Sequence, residues 1–470
     1  MEGLQNENIE EALMDAAFTL ARYVVHARWE DLTEKVVETT KRDILDVLGV
    51  AFAGSAALGV NDVVELFKEW GGKRESTVIG YDLMLPCTSA ALINGMMSHA
   101  LDYDDGHDEA MVHAAASVVP AAFAVAERKG GVNGKDFLTA VAVGIDLMAR
   151  MALGARTNLR VSGWVYSCIF GYFGATAAAG KLIGLDEEKM VNAFGIAYSQ
   201  TAGSFQSIAD AALTKRAQLG FAARAGVFSA LLAERGITGP QNCVEGDYGI
   251  YKNYIRGEYD LGLVLSDLGK RYEVENLGFK AYPCCGYTHG PIYLTLSLMR
   301  EHQIRPEDVE EINVFTGRNA ADLFLPAERK RRPLSVPDAQ FSIPYTVAVA
   351  VIKGNVSIGD FTPEAINDPC VLEMAQKVRG IIVEELTRRE VEPAIVEIRT
   401  KDGKRYSKRI ENRKGSPENP MTLEELISKF RDCMAHGRKT IPGDEVERII
   451  ELVRHAEELN DVTEIIKRMK

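Results

Sequence analysis

The stretch "HALDYDDGHDEAMVH", His99 to His113, packs five acidic side chains and three histidines into fifteen positions. Three chemistries use such residues. A metal ion takes imidazole and carboxylate donors, but the stretch has neither a zinc-type spacing nor a His-Glu-x-x-His pattern. Acid/base catalysis is the second, because crowded carboxylates raise one another's pKa and a nearby histidine carries the partner proton. A solvated loop is the third, and spacing alone favours it.

Two other clusters carry reactive types. "GFKAYPCCGYTHG" sets Cys284 and Cys285 among Lys280, Tyr282, Tyr287 and His289. Adjacent cysteines do not readily ligate one iron–sulfur cluster, so a structural turn fits better than a cluster or a Cys–His nucleophile. In "TKRAQLGFAARAG", Lys215 and Arg216 stand ahead of a long helix, as surface charge or as anchors for a carboxylate substrate.

The elements that must position these groups are mostly helical. From Glu10 to about Arg235 apolar residues recur at helical spacing, as in Leu13, Ala17, Leu20 and Val24 and in Ile44, Leu48, Ala51 and Phe52. Ser117 is the expected N-cap of a helix that runs to Arg128, with Pro120 in its first turn. Asp186, followed by Glu187 and Glu188, starts another, and Gln218 to Glu234 forms a third that ends at Gly236. The small residues of "FGYFGATAAAG" predict close helix packing, and "GGVNGKD" fails the phosphate-loop pattern.

The texture changes near Asn276. Glu310 to Gly317 reads as a strand, and Ala394 to Ile410 as two strands joined at Asp402-Gly403. Helices are expected between them, around Thr346 to Ile352 and Val371 to Val378. Thr422 and Glu425 then form a capping box for a returning helix. The expected fold class is mainly α with an α+β part. A large all-helical domain is built from N- and C-terminal segments, residues 1–270 and 411–470, with a smaller α+β domain at 271–410 between them.

Composition sets outer bounds. A net charge of −13 over 470 residues argues against a nucleic-acid surface, which needs clustered Lys and Arg. The acidic N-terminus lacks a signal-peptide pattern, and the longest apolar run, Ala114 to Ala126, is too short to span a bilayer. Seven scattered cysteines fit a reducing cytoplasm better than a disulfide framework.

Six segments in order, "KRDILDVLGVAFAG", "HALDYDDGH" leading to "VHAAASVVPAAFAVAE", "TKRAQLGFAARAG", "FKAYPCCGYTH", "DAQFSIPYTVAVAV" and "PENPMTLEELISKF", resemble the MmgE/PrpD family over nearly the whole chain. That family includes 2-methylcitrate dehydratase, cis-aconitate decarboxylase and iminodisuccinate epimerase. The resemblance implies a helical domain, a smaller α+β lid, a homodimer, and no metal or organic cofactor. Asp102 matches the first aspartate of the family's acidic motif, His113 the histidine that follows, and Lys215 the lysine before the long helix. Asp102 and His113 are thereby expected to share the acid and base roles, with Lys215 anchoring a substrate carboxylate. Lys280 and Arg216 are further cationic candidates, and His107, Cys285 and His289 complete the expected substrate-binding set.

Three positions depart from the family pattern. Gly106, with His107 beside it, stands where decarboxylase relatives have a threonine. Val165 occupies the place of a histidine in a Phe-His-Pro stretch, and Cys285 another histidine position. The expected activity is cofactor-independent dehydration of a methylcitrate-like di- or tricarboxylate by side-chain proton transfer. The alternatives are a cis-aconitate-type decarboxylase, an iminodisuccinate-type epimerase, and a carboxylate-binding scaffold with degraded chemistry. The missing histidine at Val165 weakens decarboxylation most directly.

Overall fold

A computed structural model of the chain describes residues 14–388 and 391–470, so the expected helical positions from Glu10 to Leu13 lie outside the described residues. The helices used below are α1 (Ala16–His26), α2 (Glu34–Gly54), α3 (Cys87–His99), α4 (Ala115–Lys129), α5 (Gly134–Gly154), α6 (Tyr166–Ile183), α7 (Glu187–Tyr198), α8 (Thr214–Glu234), α9 (Gly286–Glu301), α10 (Ile343–Lys353) and α11 (Leu423–Ala435). Strands β1 (Ser76–Val78) and β2 (Leu83–Leu85) form a small hairpin. The main sheet holds β3 (Val309–Thr316), β4 (Val378–Ile382), β5 (Ala394–Thr400) and β6 (Arg405–Ile410).

Two apolar cores follow from this order. The larger gathers α1 to α8 and α11, and the smaller holds α9, α10 and the inner faces of β3 and β5. Glycine lets the helices of the larger core touch. A Cβ on Gly174 of α6 would meet the Gly144 carbonyl of α5 at 2.8 Å, and one on Gly95 of α3 would meet Gly220 Cα of α8 at 2.9 Å. The expected small-residue packing is therefore present, and the α3–α8 contact brings the start of α8 beside the end of α3. Helix α5 is apolar and long enough to cross a membrane, but its apolar stretch is buried against protein.

The sheet order is β4-β3-β5-β6, with β3 parallel to β4 and the other pairs antiparallel. Ala394, Val396, Ile398 and Thr400 alternate inward along β5, the pattern of a strand with one face covered. Gly403, at φ +86°, makes the expected turn between β5 and β6. Asp186 caps α7 through the Lys189 N–H, and Thr422 and Glu425 form the expected capping box on α11.

Two local expectations fail. Helix α4 starts at Ala115, so Ser117 lies inside it and Pro120 well beyond the first turn. The cap comes from elsewhere: Asp105 Oδ2 accepts the N–H groups of Ala114 at 3.0 Å and Ala115 at 3.2 Å. Val378 belongs to a strand because it pairs with Ile312 of β3, and the helix that precedes it stops at Ala375. The first misreading turns on a side chain in the preceding loop, and the second on a strand partner distant in sequence.

A side chain on Gly220 would overlap the Leu92 carbonyl of α3. Gly220→Leu is expected to lower stability by about 1–3 kcal/mol, read as a reduced urea midpoint. Gly443→Ala, where a Cβ meets nothing within 4 Å, serves as the control expected to change little.

Candidate active site

The acidic stretch is not solvated. Between α3 and α4 it folds inward, with Asp102, Asp104, Asp105 and His107 all buried. Each group is pinned. His99 Nδ1 lies 2.7 Å from Asp104 Oδ2, and Lys429 of α11 donates to the Tyr103 carbonyl at 2.7 Å while pairing with Asp46 of α2. Gly106 and Gly278 exchange N–H···O bonds at 2.9 and 2.8 Å, which ties the stretch to the segment leading into α9.

A cavity of about 420 Å³ lies between the two cores, within the size range of small-molecule sites. Asp102, His107, His113, Lys215, Lys280 and Cys285 line it, as do Gly106 and Val165. Thus all three positions that depart from the family pattern are in the cavity wall.

Asp102, in a left-handed backbone conformation at φ +51°, aims its carboxylate at two cations. Lys215 Nζ, at the start of α8, is 2.6 Å from Oδ1, and Lys280 Nζ is 3.3 Å away. Lys280 also donates to the Asp102 carbonyl at 2.9 Å, and Lys215 lies 5.3 Å from the centre of the Phe341 ring. Burial alone would raise the Asp102 carboxyl, but the Lys215 and Lys280 charges outweigh it and hold it well below the usual range. Burial would likewise neutralise Lys280, yet Asp102 and Asp104 keep its pKa raised. The result is a fixed ionic cluster in which Asp102 is a poor proton carrier.

His113 has the opposite character. Its Nδ1 donates to the Asp105 carbonyl at 2.5 Å, so the free lone pair of the neutral ring sits on Nε2. The side chain keeps 26% of its exposure, on the cavity side of a buried loop. Burial, helped by the Lys280 charge, pushes its pKa down to about 3. His113 is therefore a neutral imidazole oriented by its own backbone neighbourhood. Behind it, burial and the Asp104 charge push the Asp105 carboxyl up to about 8. The raising expected of crowded carboxylates is thus confined to Asp105, a residue that supports the base instead of replacing it, while neighbouring cations and histidines hold Asp102 and Asp104 low.

The remaining candidates divide. The His107 ring lines the cavity, but Nδ1 accepts the Ala110 N–H at 3.1 Å and Nε2 faces Glu273 at 3.2 Å, so both nitrogens are engaged by protein. Cys285 caps α9 at the cavity edge, and burial keeps its thiol protonated. Two expectations are corrected. Arg216 turns away from the cavity to donate to the Leu58 carbonyl at 2.9 Å, since adjacent helical residues point about 100° apart and Lys215 takes the inward direction. His289, in the first turn of α9, is fully buried away from the cavity wall, with Nε2 3.2 Å from the Cys284 carbonyl and the ring edge-on to Tyr282.

Several wall residues escaped the sequence reading, Arg413 among them. Arg413, in the loop before α11, forms a bidentate pair with Asp108 at 2.7 and 3.0 Å and also lines the cavity. Its only signal is its position just ahead of "GSPENP", because no periodicity marks a loop residue 305 positions from its partner.

His99, Asp104 and His113 bring ligand-type atoms within 4.8 Å of one another, the group that could hold a metal ion among the described residues. His99 Nδ1 and Asp104 Oδ2 bond each other, and His113 Nδ1 bonds a carbonyl, so an ion held through these three atoms would displace those contacts. The donor set fits a hydrogen-bonded acid–base array better than a cage.

Known proteins share this arrangement of sequence. The MmgE/PrpD N-terminal domain model matches residues 19–261, and the MmgE/PrpD C-terminal domain model matches residues 282–458. A cis-aconitate decarboxylase of Aspergillus terreus is 28% identical over 463 residues, covering 93% of this chain and 92% of its own. The Homo sapiens cis-aconitate decarboxylase is 28% identical over 449 residues, covering 93% and 91%. A cis-aconitate decarboxylase-like protein of Aspergillus oryzae is 28% identical over 468 residues, covering 95% of each chain. With both halves matched in order around the cavity, the chain belongs to the MmgE/PrpD family.

Proposed function

We propose that this protein is a lyase that moves a proton at a carbon flanked by carboxylates in a small di- or tricarboxylic acid. The observation that carries the reading is the His113 imidazole, oriented by its bond to the Asp105 carbonyl, beside the Lys215–Asp102–Lys280 cluster in one cavity wall. Nε2 takes or returns the proton. The two ammonium groups hold a substrate carboxylate as negative charge grows on the adjacent carbon. Asp102 is a positioning residue that keeps both lysines charged and aimed. This assignment gives the proton transfer to His113 alone, where the sequence offered Asp102 as an equal candidate. A cytoplasmic enzyme using side chains only is the form in which we propose it.

Two finer readings compete. Dehydration of a methylcitrate-like acid is supported by the wall itself, since Gly106, Val165 and Cys285 supply neither the hydroxyl nor the histidines of decarboxylase relatives. Decarboxylation of a cis-aconitate-like acid is supported by full-length similarity to proteins named for that reaction. Incubation with 2-methylcitrate, citrate, cis-aconitate and iminodisuccinate separates them, with alkene absorbance, carbon dioxide release and chirality followed together. Alkene formation from a hydroxy acid supports the first reading and carbon dioxide from cis-aconitate the second. A change of chirality alone supports the epimerase, and tight binding without turnover the scaffold. Whichever acid reacts, His113→Ala is expected to lower kcat by about 10²–10⁴ with an unchanged circular dichroism spectrum. A wild-type rate in that variant would remove His113 from the chemistry.

Lys215→Met deletes one carboxylate anchor used in ground and transition states alike. It is expected to raise KM about tenfold or more, with a smaller change in kcat. A loss confined to kcat contradicts the anchoring role.

A further inference from the structure

Arg413 is unusual among the cavity cations because its guanidinium is surrounded by glycine backbone. A Cβ on Gly278 would lie 3.1 Å from Nη2, one on Gly415 3.6 Å from Nη1, and one on Gly106 3.6 Å from Nη2. Two of these glycines are required by the chain itself. Gly415 has φ +94°, and a Cβ on Gly278 would meet the Gly415 carbonyl at 2.5 Å. Gly106 is different: it has no positive φ, and every contact of an added Cβ would be an ordinary one. What its bareness does is leave a gap in the cavity wall, with Arg413 Nη2 on one side and the Cε1–Nδ1 edge of His113, 3.9 Å from the same point, on the other.

The guanidinium has donors to spare. Arginine carries five N–H groups. Nε and one N–H of Nη2 bond Asp108, and one N–H of Nη1 bonds the Phe279 carbonyl at 3.3 Å. One N–H remains on each terminal nitrogen. Asp108 offsets part of the charge and fixes the guanidinium plane, so an incoming anion meets a preoriented donor. Lys215 and Lys280 form a second cationic pole of the cavity, and Arg329 and Lys330, also in the wall, are paired with Asp338.

We propose that Arg413, reached through the gap at Gly106, anchors a second substrate carboxylate beside His113. The acid this chain takes then carries at least two carboxylates, one at the lysine pole and one at Arg413, with the reacting carbon between them. The inference rests on the polycarboxylate lyase reading and makes Gly106 a specificity-determining position. A side chain there fills the space the second carboxylate needs.

The test uses binding, so it does not depend on which reaction occurs. Calorimetry compares tricarballylate, a non-hydroxylated tricarboxylate, with butanoate, which has one carboxylate. Wild-type protein is expected to bind tricarballylate the more tightly. Gly106→Val and Arg413→Lys are each expected to weaken tricarballylate by about tenfold or more and to leave butanoate within about twofold, as loss of one charge-assisted anchor predicts. Melting curves check folding, and either variant carries the test if the other fails to fold. Unchanged tricarballylate affinity in a folded variant overturns the Arg413 anchor. Equal weakening of both acids overturns it too, by pointing to general damage of the cavity. If wild-type protein binds neither acid, the polycarboxylate reading itself falls and takes the anchor with it.

Discussion

The site depends on one buried carboxylate held by two ammonium groups. Asp102 lies at the end of α3, Lys215 at the start of α8 and Lys280 in the segment before α9, so a single ionic cluster joins three parts of the chain. Taking these charges out of water costs several kcal/mol per ion, and removing one partner from such a cluster costs roughly 3–5 kcal/mol because it strands the others. The cluster is therefore a way of holding charge where a substrate carboxylate is to be bound. The close α3–α8 packing at Gly95 and Gly220 sets its geometry.

His113 works against this background. Burial, helped by the Lys280 charge, keeps it neutral, and the Asp105 carbonyl fixes which nitrogen is basic. The Asp105 side chain also caps α4, so one residue orients the base and starts the helix that follows it. The buried groups thus divide the work. Asp104 engages His99, Asp105 orients His113, and Asp108 holds Arg413.

Much of this was legible in the sequence where residue type and local spacing suffice. Asp102, His113 and Lys215 are singled out by the family resemblance, since type and spacing alone favour a solvated loop, and helix caps at Asp186 and Thr422 follow from neighbours three residues away. What could not be read depends on contacts between distant segments. The inward burial of the acidic stretch comes from Lys429 and Gly278, both far away in sequence, together with the Asp105 cap on α4. Strand β4 is defined by its pairing with β3, and Arg216 is excluded by the orientation that Lys215 requires. Arg413 is a loop residue whose meaning lies wholly in what the fold places beside it.

The central claim is that His113 is a neutral base with its proton on Nδ1. Nuclear magnetic resonance of histidine-labelled protein tests it, with the His113 signal assigned by comparison with His113→Gln. Because folding lowers this pKa below the ordinary 6.5, the ring is expected to stay neutral and Nδ1-protonated as pH falls from about 8 to about 5. It should take up a second proton only well below that window. A His113 resonance that titrates near 6.5, or a neutral form protonated on Nε2, would contradict the account.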